Sequence, residues 1–167
     1  MKTIRSFWHG PITLYERLCI CSYLHHGHSI EIYSYHPLEL PIGAISKDAT
    51  EILPQSAIFY FSEGPGKGSV AGFVDLFRYK LIYEKGGIWT DLDILCLKSY
   101  EDLPESFLVY QEEVNHPHAI GTGVFGFTKK SDFCLKLFNE ALCFDEKSNW
   151  GDAGPLLATR LYNEGPH

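Results

Sequence analysis

The sequence predicts an α/β fold built on a largely parallel sheet. Strand-like runs alternate with helix-like runs along the chain. Apolar residues switch between a period of two and a helical period, and glycine or proline punctuates the junctions.

The elements follow in order. Residues 3–8 read as an opening strand. Thr13 and Glu16 have the spacing of a capping box, and Leu14, Leu18, Cys21 and Leu24 then recur at helical intervals, with Gly27 as the stop. Residues 29–35 form the next strand, with Ile30 and Ile32 alternating. A Pro-containing connection with one helical turn leads to a strand expected at 57–61. Residues 64–68, Gly-Pro-Gly-Lys-Gly, must be a loop. Val70, Phe73, Val74, Phe77 and Leu81 mark an amphipathic helix over 70–85, ended by Gly86 and Gly87. Strands are expected at 88–97 and 107–111, with a weaker one at 124–127. Ser131 caps a helix running through Cys143, and Pro155 opens a last one.

Composition narrows the class. The 167 residues, 45% apolar, suit a single domain with its own core and are too apolar for a disordered chain. Fourteen basic residues against 21 acidic give a net charge of -7. Residues 1–83 carry seven of each sign, so the acidic excess lies entirely in 84–167. That balance argues against a nucleic-acid partner and against a polybasic membrane patch. No apolar signal segment opens the sequence and no run of 18 apolar residues occurs, so neither a secretory leader nor a transmembrane segment is expected. The five cysteines, Cys19, Cys21, Cys96, Cys134 and Cys143, make no Cys-x-x-Cys pair and are expected to be buried, reduced thiols of a cytoplasmic protein.

In such sheets ligands bind beyond the carboxyl ends of the strands, which directs attention to 70–97. Asp91 and Asp93 are one residue apart in a strand-like run, and a period of two turns both carboxylates to one face. Two hard oxygen donors side by side suit Mg²⁺ or Mn²⁺ with substrate phosphate oxygens. On its own, the pair also fits a strand end with two solvated acids. Asp75 and Arg78, three apart, share one face of the preceding helix, where a surface ion pair worth little is the plain alternative.

From Asp75 to Asp93 the sequence resembles the sugar-binding region with the Asp-x-Asp motif of glycosyltransferase family 32, which includes bacterial capsule and lipooligosaccharide enzymes. The diagnostic positions are Asp75, Arg78, Gly86, Gly87, Asp91 and Asp93. Residues 6–11 with 27–33 are similar to that family's opening strand–helix–strand, and 150–155 to its Gly-Pro helix entry. The resemblance implies a GT-A-like fold with a mostly parallel sheet, as one domain over 1–167 whose donor-binding part covers 1–100. It also implies a metal-dependent, retaining transferase that uses a nucleotide-sugar donor, a UDP-sugar, with Mn²⁺ or Mg²⁺. By the same resemblance Asp93 ligates the metal and Asp91 binds through a metal water or the ribose. Asp75 and Arg78 bond the donor sugar, Trp8 packs on the nucleobase, and Trp89 stands near the diphosphate where the family often has tyrosine. The implied acceptor is a glycan, glycolipid or capsule chain, which would draw the protein to the inner face of a membrane. Alternatives are a truncated, non-catalytic donor-binding domain and a toxin-like protein glycosyltransferase. The chain is short for the enzyme implied, so a C-terminally truncated or compact variant is expected.

Other signals carry less. His25, His26 and His28 lack a matching cysteine or acid for zinc. The 64–68 loop lacks the Lys-Ser/Thr ending of a phosphate-binding loop and reads as either a surface loop or a lid over the donor. Glu112 and Glu113 are expected to be solvated rather than to act as a general base.

Overall fold

The computed structural model describes residues 1–113 and 116–165. The strands are β1 Thr3–Phe7, β2 Ser29–Ser34, β3 Ile45–Asp48, β4 Gly87–Thr90, β5 Phe107–Glu113 and β6 His116–Phe127. The helices are α1 Leu14–His25, α2 Ala71–Lys85, α3 Asp132–Ala141 and α4 Leu157–Glu164. Among the described residues the strands form one sheet in the order β3-β2-β1-β4-β6-β5. The β3-β2-β1-β4 pairings are parallel, and β6 runs antiparallel to both β4 and β5. The expected mostly parallel α/β sheet is therefore present.

Period-two alternation divides the core. Ile4, Ile30, Ile32 and Ile88 pack with Ile20 and Tyr23 of α1 on one face. Phe7, Tyr33, Trp89 and Phe125 pack with Phe73, Phe77 and Leu81 of α2, and with α3 and α4, on the other. This parity turns Trp89 toward α2 and Thr90 toward α1, where the Tyr23 hydroxyl meets the Thr90 hydroxyl at 2.7 Å. Trp89 has no exposed surface, and removing a tryptophan side chain from water contributes about 4–6 kcal/mol.

Local chemistry explains the junctions that matter. Thr13 caps α1 as expected, its N–H donating to Glu16 Oε2 at 2.6 Å. At the end of α2, Gly86 and Gly87 have φ of +68° and +92°, a region that side chains avoid. A Cβ on Gly87 would collide with the Arg5 guanidinium and stand 2.8 Å from the Thr3 carbonyl oxygen. Arg5 in turn donates to the Gly86 carbonyl at 2.6 Å and pairs with Glu31 at 2.8 Å. The tight turn from α2 into β4 is thus clamped by the neighbouring strand.

Several expectations need correction. The run 57–61 is not a strand. Phe61 bonds to its own loop, with its N–H to Ser69 O at 3.0 Å, while Phe59 and Phe61 pack onto Gly72 of α2. The additional strand is β3, an edge strand with little apolar alternation to reveal it. The strand expected over 88–97 ends at Thr90, and a turn follows in which Ile94 N–H bonds Asp91 O at 3.3 Å. Trp8 lies one residue past β1, whereas β6 reaches well beyond 124–127. The apolar face chosen for α1 is the outer one. Leu14 and Leu18 are 68% and 53% exposed, and the buried residues are Cys19, Ile20 and Tyr23. Cys21 and Cys143 are also exposed, leaving Cys19, Cys96 and Cys134 as the buried thiols. α3 ends at Ala141, and α4 begins after an irregular turn that contains Pro155. The side chains of Glu112 and Glu113 lie outside the described residues. Among those described, no helix is long and apolar enough to cross a membrane.

Candidate functional site

Asp75 and Arg78 sit one turn apart on the sheet-facing side of α2, and both are buried, with side chains 11% and 7% exposed. The surface ion pair is thereby excluded. Arg78 Nη1 donates to the Thr122 carbonyl of β6 at 2.7 Å and lies 3.4 Å from Asp75 Oδ1. Its Nη2 lies 3.2 Å from Asp91 Oδ1. The guanidinium carbon stands 5.1 Å from the centre of the Trp89 ring, a cation–π contact. One planar fork therefore joins α2, β6 and the residue after β4, which a lysine could not do.

Asp91 continues the ladder for one more bond, its N–H reaching Gly123 O at 2.8 Å. Its Oδ1 accepts from Trp89 Nε1 at 2.9 Å. Asp93, past the strand, is exposed, yet both acids line the same cleft. They share it because of the turn after Thr90 rather than through the strand period that predicted it.

Burial pushes the Asp75 carboxyl up to about 6. Arg78 partly offsets this, and Asp91 adds to it. Burial also raises Asp91, against the pull of Arg78 and the Trp89 N–H. For Arg78 burial opposes the charge, but Asp91 and Asp75 outweigh it and hold the guanidinium protonated.

The cleft has a volume of about 740 Å³. Asp75, Arg78, Asp91 and Asp93 line it together with Phe61, Ile94, Gln111, Thr122, Gly123, Trp150, Gly151, Pro155 and Leu156. Phe61, Trp150 and Thr122 of this lining, and Gly154 behind it, shape the site without having been predicted as site residues. Trp150, 56% exposed, rests beside Phe61 and over Gly66, where a Cβ would be 2.7 Å from the indole. Thr122 orients Arg78 through its carbonyl, a backbone role that no side-chain pattern reveals. Gly154 seats Asp75, and the irregular turn carrying it is tied to α2 by the Tyr79 hydroxyl, which donates to Ala153 O at 2.9 Å. Only the 150–155 segment gave a sequence signal, through its Gly-Pro entry.

Of the residues expected around a nucleotide, neither Trp8 nor Trp89 lines this cleft. Trp8 donates from Nε1 to Pro11 O at 3.0 Å, and the Trp89 N–H is engaged by Asp91. His28 is buried and accepts from Tyr100 N–H at 2.9 Å. The 64–68 loop contacts Trp150 through Gly66.

Among the described residues no three His, Cys, Asp or Glu side chains converge as a metal cage. The Asp91–Asp93 pair nevertheless fits Mn²⁺ or Mg²⁺, which commonly take one or two carboxylates and complete their shell with water and substrate phosphates. Asp91 keeps Oδ2 free of any described partner, and Asp93 likewise has no hydrogen bond or ion pair among the described residues.

Two comparisons bear on this arrangement. Residues 66–109 match the model of the glycosyltransferase sugar-binding region containing DXD motif. The resemblance read from the sequence holds. The fold is also similar to the solved structure of PaToxG glycosyltransferase, with a TM-score of 0.67 at 16% identity. That alignment covers 98% of this chain and 68% of the other. The family match supports a glycosyltransferase, and the structural likeness supports its fold. The matched sugar-binding region contains Asp75, Arg78, Trp89, Asp91 and Asp93, while Trp8 precedes it and Trp150 follows it.

Proposed function

We propose that the chain is a metal-dependent, retaining glycosyltransferase. It moves a sugar from a nucleotide-sugar donor, a UDP-sugar, to a glycan, glycolipid or capsule acceptor. The observation that carries this reading is the buried Arg78 fork between Asp75 and Asp91 in one cleft. Asp93 and the open oxygen of Asp91 would hold Mn²⁺ or Mg²⁺. The cation supplies charge neutralisation at the diphosphate oxygens of the leaving group. Asp75 accepts hydrogen bonds from donor sugar hydroxyls, and Arg78 donates to them from a fixed plane. Trp8 serves the nucleobase from the end of β1. The site of action is the cytoplasm, at the inner face of the membrane for a lipid-linked acceptor.

Incubation with Mn²⁺ and a panel of nucleotide sugars tests the reading. Slow donor hydrolysis or transfer, abolished by Asp93→Ala, is the expected result. Binding without consumption of any donor would indicate a binding domain, and failure of every donor to bind would overturn the reading.

A further inference from the structure

Asp91 is held from three directions, and only one of its carboxylate oxygens is left for a ligand. Its N–H is fixed to Gly123 O at 2.8 Å. Its Oδ1 receives Trp89 Nε1 at 2.9 Å and faces Arg78 Nη2 at 3.2 Å. At Gly123 a Cβ would stand 3.4 Å from Oδ2, so the missing side chain leaves room beside that oxygen. No described partner touches Oδ2.

The two groups on Oδ1 are of one kind. Indole N–H and guanidinium N–H both donate to Oδ1 and occupy its lone pairs, so Oδ2 is the oxygen left for a ligand. Trp89 is the more firmly seated. It is fully buried in β4, paired with Arg5 and Phe125 in the sheet, and carries the Arg78 guanidinium on its face.

We propose that Trp89 is a positioning residue. It holds Asp91 so that a divalent cation at the Asp91–Asp93 pair meets a single oxygen, Oδ2, and not a chelating carboxylate. The inference rests on the cation-binding reading given above. Single-oxygen ligation suits the small octahedral shell of Mn²⁺ or Mg²⁺, whereas Ca²⁺ takes six to eight oxygens and accepts bidentate carboxylates. Trp89 therefore sets both the affinity of the pair and its preference for Mn²⁺ over Ca²⁺.

The test needs no turnover. Mn²⁺ binding to the full chain in the presence of UDP is followed by electron paramagnetic resonance, with Ca²⁺ as competitor. Trp89→Phe removes the N–H and part of the ring. Trp89→3-benzothienylalanine keeps the bicyclic shape and replaces only the N–H, by sulfur. Loss of an outer-shell partner predicts Mn²⁺ affinity about tenfold lower in both, with Ca²⁺ competing more effectively. A benzothienyl variant within about twofold of the native affinity and competition overturns the proposal, since packing alone would then account for any loss in Trp89→Phe. If the native protein binds no Mn²⁺ with UDP, the cation reading fails and this inference falls with it. If the native protein binds and neither variant differs, only the role of Trp89 is refuted.

Discussion

Gly154 lies against the carboxylate of Asp75 so closely that a Cβ there would stand 2.9 Å from Oδ2 and 3.1 Å from Oδ1. The contact joins the turn before α4 to the middle of α2, although the two residues are far apart in sequence. Arg78 Nη1 stands 3.4 Å from Asp75 Oδ1, so any shift of the carboxylate also disturbs that ion pair. Gly154→Ala must therefore displace the carboxylate. The expected cost is about 1–3 kcal/mol of stability, as for other overpacked sites. A higher donor KM should accompany the shift in the unfolding midpoint.

The acidity of Asp75 gives a second prediction, on pH. Its folded pKa of about 6 lies above the ordinary 3.8, so the folded protein binds this proton more tightly than the unfolded chain. Between those two values stability falls as pH rises, and the contribution of the bound proton is lost by about pH 6. Asp75→Asn removes that dependence, and denaturant titrations at pH 4 to 7 should show a flatter profile for the variant. Donor affinity should move the other way. It rises as pH passes through about 6, when the carboxylate becomes able to accept sugar hydroxyls, and the inflection disappears in Asp75→Asn.

Arg78 contributes by geometry as well as charge. Lysine keeps the charge but cannot reach Asp75, Asp91 and the Thr122 carbonyl from one rigid plane. Arg78→Lys should lower kcat/KM by about 100-fold while the chain still folds, as misplacement of a positioning group commonly does. Arg78→Gln leaves the buried Asp75 and the partly exposed Asp91 without their guanidinium and should cost about 3 kcal/mol of stability, chiefly through Asp75. Unfolding curves alongside donor kinetics separate the two effects.

Gly87 offers a test of the launch into β4. With φ of +92° and the Arg5 guanidinium over its Cα, it has no room for a side chain. Gly87→Ala should destabilise the protein by more than about 1 kcal/mol, the gain that alanine gives only where the backbone permits it. Because β4 carries Trp89 and leads into Asp91, Mn²⁺ binding should weaken in the same variant. Melting curves and Mn²⁺ titrations check both.

The parts of this site legible in the sequence are local ones. Helical apolar spacing located α2, the Gly86–Gly87 pair located its end, and Asp75, Arg78, Asp91 and Asp93 fell within the same short stretch. What escaped was set by tertiary contact. Thr122 acts through a backbone oxygen, Gly154 acts by having no side chain, and Phe61 and Trp150 meet from distant loops. α1 was assigned the wrong face because apolar residues lie on both sides of it. Leu14 and Leu18 point outward as plainly as Ile20 and Tyr23 point inward. β3 escaped because it is a polar edge strand. Asp91 and Asp93 line one cleft, but the strand expected to align them stops at Thr90, and a turn brings them there instead.

The hydrogen bond from Tyr79 to Ala153 has a consequence for modularity. The matched segment, 66–109, carries every charged group of the cleft that was read from sequence, yet it does not enclose the cleft. Cut out of the chain, it would leave the Tyr79 hydroxyl without an acceptor, Arg78 without the Thr122 carbonyl, and Asp75 open to water. Its carboxyl would then drift back toward ordinary acidity. The motif is thus not a transplantable cassette. Grafting it onto another scaffold would carry over the letters of the site but not its electrostatics, unless the β6 register and the turn at Gly154 went with it.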